Sequence, residues 1–188
     1  MKLVIHMLAT LTLIGIISGA LLSEVSNWAE PKIIANRKAE TERAIFVVQQ
    51  DAKSYKKIDS TDFELFEVFD ANNNSLGYAL PYEGNGFQGK IRIIVGLNKN
   101  INNLLGLEVL EQLETPGLGA KVAETAFTKQ FKNLLLTPEI VAVKGVTPSN
   151  PNEIEAITGA TISSKAIVRI INDGIKRLKA IQKSGEQN

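Results

Sequence analysis

The chain has 188 residues, 44% of them hydrophobic and 22% charged, and a formal net charge of +1. That suits one modest globular domain plus an appendage, and a balance so near zero gives no electrostatic reason to expect nucleic acid as a partner. With no cysteine and a single histidine, His6, the chain has no means of forming disulfides, cysteine-ligated iron–sulfur clusters or an ordinary zinc or haem site, so an electron carrier held here would have to be organic.

Residues 3–22 are an almost unbroken apolar run, without formal charge while His6 is neutral. At ~1.5 Å rise per residue such a helix spans a ~30 Å hydrocarbon core. Thr10, Thr12 and Ser18 can turn their hydroxyls back onto the preceding helical turn. A cleaved signal peptide is the rival reading, with Ser18-Gly19-Ala20 as a weak cleavage site. The amino-terminal region carries only Lys2 and the run is long for a signal core, so an uncleaved anchor in the bilayer is expected. Lys2 and the α-amino group precede the span, whereas Glu24 and Glu30 follow it; this predicts the N-terminus inside and the rest outside.

Residues 23–30 read as a short juxtamembrane segment with Trp28 near the headgroups, and 32–50 as a helix whose solvated face is the mixed-charge run 37–43. A hairpin follows, with strands at 63–69 and 75–80 around the turn Asp70-Ala71-Asn72-Asn73-Asn74. Residues 81–86 read as a loop, 88–97 as a strand, 99–102 as a turn and 104–113 as a strand, which together predict an antiparallel meander with one buried face.

In Glu114-Thr115-Pro116-Gly117-Leu118-Gly119-Ala120 the Pro-Gly pair is what a type II turn requires, and Gly119 repeats the freedom two residues on. Such a loop can approach a flat ligand closely, and it also serves as a plain strand-to-helix connector. Residues 121–135 show helical spacing, with Ala123, Phe127, Phe131 and Leu134 on one face, and Pro138 stops the pattern. A short strand at 140–143 and a polar approach at 144–152 lead to Ile157-Thr158-Gly159-Ala160-Thr161. From there Ala166, Ile167, Ile170, Ile171, Ile175, Leu178 and Ile181 mark one face of a final helix. Thr161 falls where an N-cap belongs, at a helix mouth suited to a phosphate. A tight turn with an ordinary cap explains the same residues. The tail from Lys183 is polar. The expected partition is an anchor at 1–22, a connector at 23–60, one domain at 61–183 and a tail at 184–188, in an α+β fold whose mainly antiparallel sheet is flanked by helices.

Glu155-Ala156-Ile157-Thr158-Gly159-Ala160-Thr161 resembles the flavinylation motif of the FMN-binding domain family: an acidic residue, two spacers, Ser or Thr, Gly, Ala, then Thr or Ser. The family usually has Asp where Glu155 stands. The Glu-Thr-Pro-Gly-Leu-Gly loop is similar to that of the membrane-anchored G subunits of Rnf electron-transport complexes and, less closely, of the C subunits of sodium-pumping NADH:quinone reductases. Members commonly carry His where Gln112 stands. The resemblance implies FMN joined covalently to Thr161 through a phosphoester installed by a flavin transferase. It places Glu155, Thr158, Gly159 and Ala160 in the recognised motif, and Ser163, Ser164 and Lys165 beside the phosphate. Thr115, Pro116, Gly117, Leu118 and Gly119 are expected near the isoalloxazine ring.

The implied function is an electron-carrying subunit of a plasma-membrane complex that couples ferredoxin and NAD to ion movement. Its partners are the other subunits, and no catalytic residues or complete activity of its own are expected. A C-type subunit of the quinone reductase, a tethered ligand sensor and a purely structural subunit are the competing readings. A flavin domain that reduces a small organic acid would normally need a further catalytic domain.

Overall fold

Alternation along one strand divides the fold into its two sides. In Lys90–Asn98 the side chains of Ile91, Ile93, Val95 and Leu97 enter one apolar cluster, while Ile94 enters another. A strand whose successive side chains point to opposite faces does this only when both faces are covered. The structure, a computed structural model, describes residues 1–59 and 61–185, with side chains through residue 182. Two compact units are present, Met1–Glu40 and the chain from Thr41 onward.

Helix α1 (Lys2–Val48) is continuous through the predicted juxtamembrane segment. Residues 23–30 contain no glycine or proline, and Pro31 inside the helix forfeits a backbone hydrogen bond without ending it. This helix is long and apolar enough to cross a membrane, and its apolar window is exposed. In its last turns Thr41, Ala44, Ile45 and Val48 are buried, at helical spacing. Thr41 thus leaves the face predicted to be solvated; its hydroxyl receives Arg92 Nη2.

The main sheet runs in sequence order: β1 (Ser54–Lys57), β2 (Phe66–Phe69), β3 (Ser75–Asn85), β4 (Lys90–Asn98), β5 (Asn103–Gln112) and β6 (Leu134–Leu135), all antiparallel. The predicted meander is present, with β1 unforeseen. All of the predicted loop at 81–86 except Gly86 is instead the second half of β3. Pro81 pairs with Ile94 beyond the last β2 partner, Ala79, so one side of β3 is an open edge there and its missing N–H can face it.

One face of the sheet packs on the end of α1. Gly96 and Gly106 pair across β4 and β5, and a Cβ at Gly96 would meet the Val48 carbonyl, so these glycines form the slot in which that helix end lies. The opposite face is covered by α3 (Thr161–Gly185), through Ile167, Ile170, Ile171 and Leu178. Ile171 is 1% exposed, so Ile171→Ala is expected to cost about 2–5 kcal/mol in urea unfolding.

The predicted helix over 121–135 is broken. Tight turns at Gly119–Ala123 and Lys129–Phe131 flank a short α2 (Thr125–Thr128), with Glu124 extended between the first two. Val122, not Ala123, joins Phe127, Phe131 and Leu134 in the core. Asn133 at φ 59 then turns the chain into β6, so the apolar spacing reflects burial by turns rather than a regular helix. A second, two-stranded parallel sheet joins β7 (Val141–Val143) to β8 (Glu153–Glu155). The α+β class stands. Helix α3 continues to Gly185, past the predicted start of the tail; residues 186–188 lie outside the described residues, as does Ser60.

Candidate functional site

Two glycine turns meet at the mouth of α3. In the first, Leu118 N–H donates to Thr115 O at 3.1 Å across Pro116 and Gly117, whose φ is 76°. In the second, Ala160 N–H donates to Ile157 O at 2.9 Å across Thr158 and Gly159, whose φ is 83°. Both have the hydrogen bond and left-handed third residue of a type II turn. A Cβ at Gly159 would lie 3.5 Å from Leu118 Cδ2, so the two sequence motifs touch.

The second turn is braced from within. Ser164 Oγ accepts Ile157 N–H at 3.0 Å and donates to Ala160 O at 3.0 Å. Upstream, the Gln130 side chain pairs with the Glu155 backbone: Glu155 N–H donates to Oε1 at 2.8 Å, and Nε2 donates to Glu155 O at 3.3 Å. The Gln130 amide thus acts as a strand neighbour for β8 and leaves the Glu155 carboxylate exposed. A cleft of about 280 Å³, lined in part by Lys121, Gln130, Glu155 and Thr158, opens beside it. A larger hollow of about 460 Å³ lies further along α3, by Pro138, Ile175 and Lys179.

Thr161 is the first helical residue and Ala160 the residue before it, so Thr161 is one position too late to be the cap the sequence suggested. Its side chain is half-buried, and its hydroxyl bonds to no protein group among the described residues. The first backbone bond of the helix runs from Ser164 N–H to Ala160 O at 3.0 Å, which leaves the N–H groups of Thr161, Ile162 and Ser163 ahead of it. Such groups and the helix dipole favour an anion. Thr158, Gly159 and Lys165 are exposed around this point. Ser163 and Ser164, expected beside a phosphate, are 2% and 0% exposed and spend their hydroxyls on protein partners.

The group that sequence reasoning missed is the Glu114 side chain, 4% exposed. Its Oε1 accepts Phe87 N–H at 2.8 Å and Gln88 N–H at 3.0 Å, and its Oε2 accepts the Ser163 hydroxyl. Gln112 accepts Glu114 N–H through Oε1 at 2.7 Å. Thr115 Oγ1 donates to Gln88 Oε1 at 3.0 Å. Its place at the head of the Glu-Thr-Pro-Gly-Leu-Gly loop is visible in the sequence, but its burial is not, because its donors come from distant segments. Desolvation pushes its pKa up, but the Ser163 hydroxyl and the N–H groups of Gln88, Phe87 and Gly89 together outweigh that, and the carboxyl lies below the ordinary glutamate value.

A depressed folded pKa means that the unfolded chain binds the proton more readily. Stability from Glu114 is therefore in place above the unfolded pKa and is lost as pH falls through the folded one. Acid unfolding followed by circular dichroism should show a shallower acid limb in Glu114→Gln than in the wild type, with the curves differing least at the lowest pH.

Four exposed apolar residues, Phe87, Leu113, Leu118 and Ile162, lie on the segments that Glu114 joins. An anion seat beside exposed apolar side chains fits a phosphorylated ligand with a flat aromatic body.

Residues 86–176 match the model of the FMN-binding domain. The chain is similar to the G subunit of the Na(+)-translocating ferredoxin:NAD(+) oxidoreductase complex of Acetobacterium woodii, at 35% identity over 123 residues, covering 64% of this chain and 58% of the relative's length. It is similar to the G subunit of the ion-translocating oxidoreductase complex of Methanosarcina acetivorans almost end to end, at 24% identity over 95% of this chain and 96% of that one. The fold is similar to the crystal structure of the C subunit of the Na(+)-translocating NADH-quinone reductase from Parabacteroides distasonis, with a TM-score of 0.60 and 16% identity over 77% of this chain and 92% of that one. The match to the FMN-binding domain model spans residues 86–176, which hold both glycine turns and the start of α3.

Proposed function

We propose that this chain is the electron-carrying flavoprotein subunit of an Rnf-type, membrane-bound, ion-translocating ferredoxin:NAD oxidoreductase, with FMN esterified to Thr161. The observation that carries the reading is the Thr161 hydroxyl, without a protein partner among the described residues, at the first position of α3 inside the family's matched region. When bound, FMN supplies one- and two-electron redox chemistry, which joins one-electron to two-electron carriers.

The chain's own residues hold and tether. Thr161 offers Oγ1 as the acceptor, and activation of the flavin nucleotide belongs to a separate flavin transferase. In that transfer Oγ1 forms a bond to the FMN phosphorus of FAD, AMP leaves with the pyrophosphate bond, and the hydroxyl proton goes to the transferase. The N–H groups at the start of α3, with exposed Lys165 one turn on, would hold the resulting phosphodiester charge. Thr115 to Gly119 and the exposed Leu118 offer a surface for the ring, and Glu155 with Thr158 presents the segment the transferase reads. Residues 3–22 anchor the chain in the plasma membrane. The order of Lys2 before and Glu24 after them supports an extracytoplasmic flavin domain.

The quinone-reductase reading is the weaker one, since the near end-to-end match is to a G subunit. The test is expression in membranes with and without a flavin transferase, followed by in-gel flavin fluorescence after denaturation. A fluorescent band only with the transferase is expected. A dark band with the transferase present would favour a tethered sensor or a structural role.

A further inference from the structure

A carboxylate that is 4% exposed needs compensating donors, because burying an unpaired charge is costly. The donors to Glu114 come from two segments other than its own loop: the turn between β3 and β4 supplies Phe87 and Gln88, and the first turn of α3 supplies Ser163. Glycines on either side permit the approach. A Cβ at Gly119 would lie 2.7 Å from Ser163 Oγ and 2.8 Å from Glu114 Oε2, and one at Gly86 would meet Glu114 Oε1. An ionised carboxylate is acceptor-only, with room for donors on both oxygens, and bonds to it are about twice as strong as neutral ones. No neutral side chain of this size serves these donors as well.

We propose that Glu114 is a positioning residue: its buried carboxylate fixes the Pro116-Gly117 turn against the first turn of α3, and so sets where a group carried on Thr161 lies relative to that loop. The second half of this statement rests on Thr161 as the flavin carrier. The first half does not. Ser163 is the joint, since it is the only α3 side chain that reaches the carboxylate among the described residues, and it sits two residues after Thr161. Glu114 acts through these two turns and need not touch the flavin.

The absence of cysteine allows a direct test in the full chain. Spin labels at Lys121→Cys, just after the loop, and Lys165→Cys, in the first turns of α3, report the separation of the two elements, both positions being exposed. Unlabelled protein matured with a flavin transferase gives the fluorescence anisotropy of the attached flavin. In Glu114→Gln and Ser163→Ala the label distance distribution should broaden and the flavin anisotropy should fall, while intact mass still shows the flavin attached. The double variant should go little further than either single one, because both remove the same joint. A merely structural role would lower the melting midpoint and leave both readouts of the folded protein at wild-type values. Ser163→Ala leaves the Glu114 bonds to Phe87 and Gln88 in place, and it decides the matter if Glu114→Gln does not fold. A wild-type value of either readout in Ser163→Ala overturns the proposal. If the wild type itself takes up no flavin, the Thr161 reading fails, and the labels alone still decide whether Glu114 holds the loop to the helix.

Discussion

Thr161→Ala is expected to leave the protein folded and without covalent flavin. The hydroxyl is the only group the substitution removes that could form the ester, so the loss of attachment should be complete rather than graded. Stability should scarcely move, because the hydroxyl makes no bond to the described protein; a change within about 0.5 kcal/mol is expected. That separates the account from the capping one, in which an Ala at the N-cap costs about 1 kcal/mol. Thr161→Ser should keep the flavin, since it retains the hydroxyl and the motif accepts either residue. The comparison is made by thermal unfolding of the unflavinylated proteins, together with flavin fluorescence after maturation. A substantial drop in melting midpoint, with flavin retained, would return Thr161 to an ordinary role at the helix start.

Gly119→Ala should have the opposite profile, with a marked effect on stability. The new methyl would lie 2.7 Å from Ser163 Oγ, 2.8 Å from Glu114 Oε2 and 2.9 Å from Glu114 Cβ, inside a buried contact. Overpacking of that kind costs about 1–3 kcal/mol. Gly117 provides the internal comparison, because a Cβ there meets open space but the residue has φ 76°. Gly117→Ala should therefore cost roughly 1–2 kcal/mol through backbone strain alone. Adding Ser163→Ala should relieve part of the Gly119→Ala penalty and none of the Gly117→Ala penalty, a non-additivity that marks direct contact. Chemical denaturation of the wild type, Ser163→Ala, the two glycine variants and the two double variants measures it. Equal behaviour at the two glycines would mean that the loop does not press on α3 as described.

What could be read in the sequence was what local pattern controls. The alternation in Ile91, Ile93 and Val95, the Asp70 turn cluster and the three-and-four spacing after Ile162 each fix a local element, and the meander follows from short connections between strands. The Pro-Gly and Thr-Gly turns were legible because glycine at a left-handed position is itself a backbone requirement. The misreadings arose where tertiary contacts overrode pattern. Phe127, Phe131 and Leu134 have helical spacing, yet tight turns satisfy the same burial, and Glu124 and Asn133 interrupt any regular helix. Pro81 looked like a loop residue because the sequence does not reveal where the neighbouring strand stops. In the candidate site the segment Glu155 to Thr161 was legible through its resemblance to a known motif, since by residue type and spacing alone a tight turn with an ordinary cap explains it. The roles of Glu114 and Gln130 were not, since their partners lie outside any local window: Glu114 reaches Phe87 and Ser163, and Gln130 reaches Glu155.

The most direct measurement is peptide mass mapping of the wild-type protein matured with a flavin transferase. Trypsin should release residues 145–165 as one peptide, cut after Lys144 and Lys165 and containing Thr161. The account predicts that this peptide gains the mass of one FMN less one water, with the added mass on Thr161, and gains nothing when the transferase is absent. An unmodified peptide in the presence of active transferase, or flavin found on another residue, would contradict it.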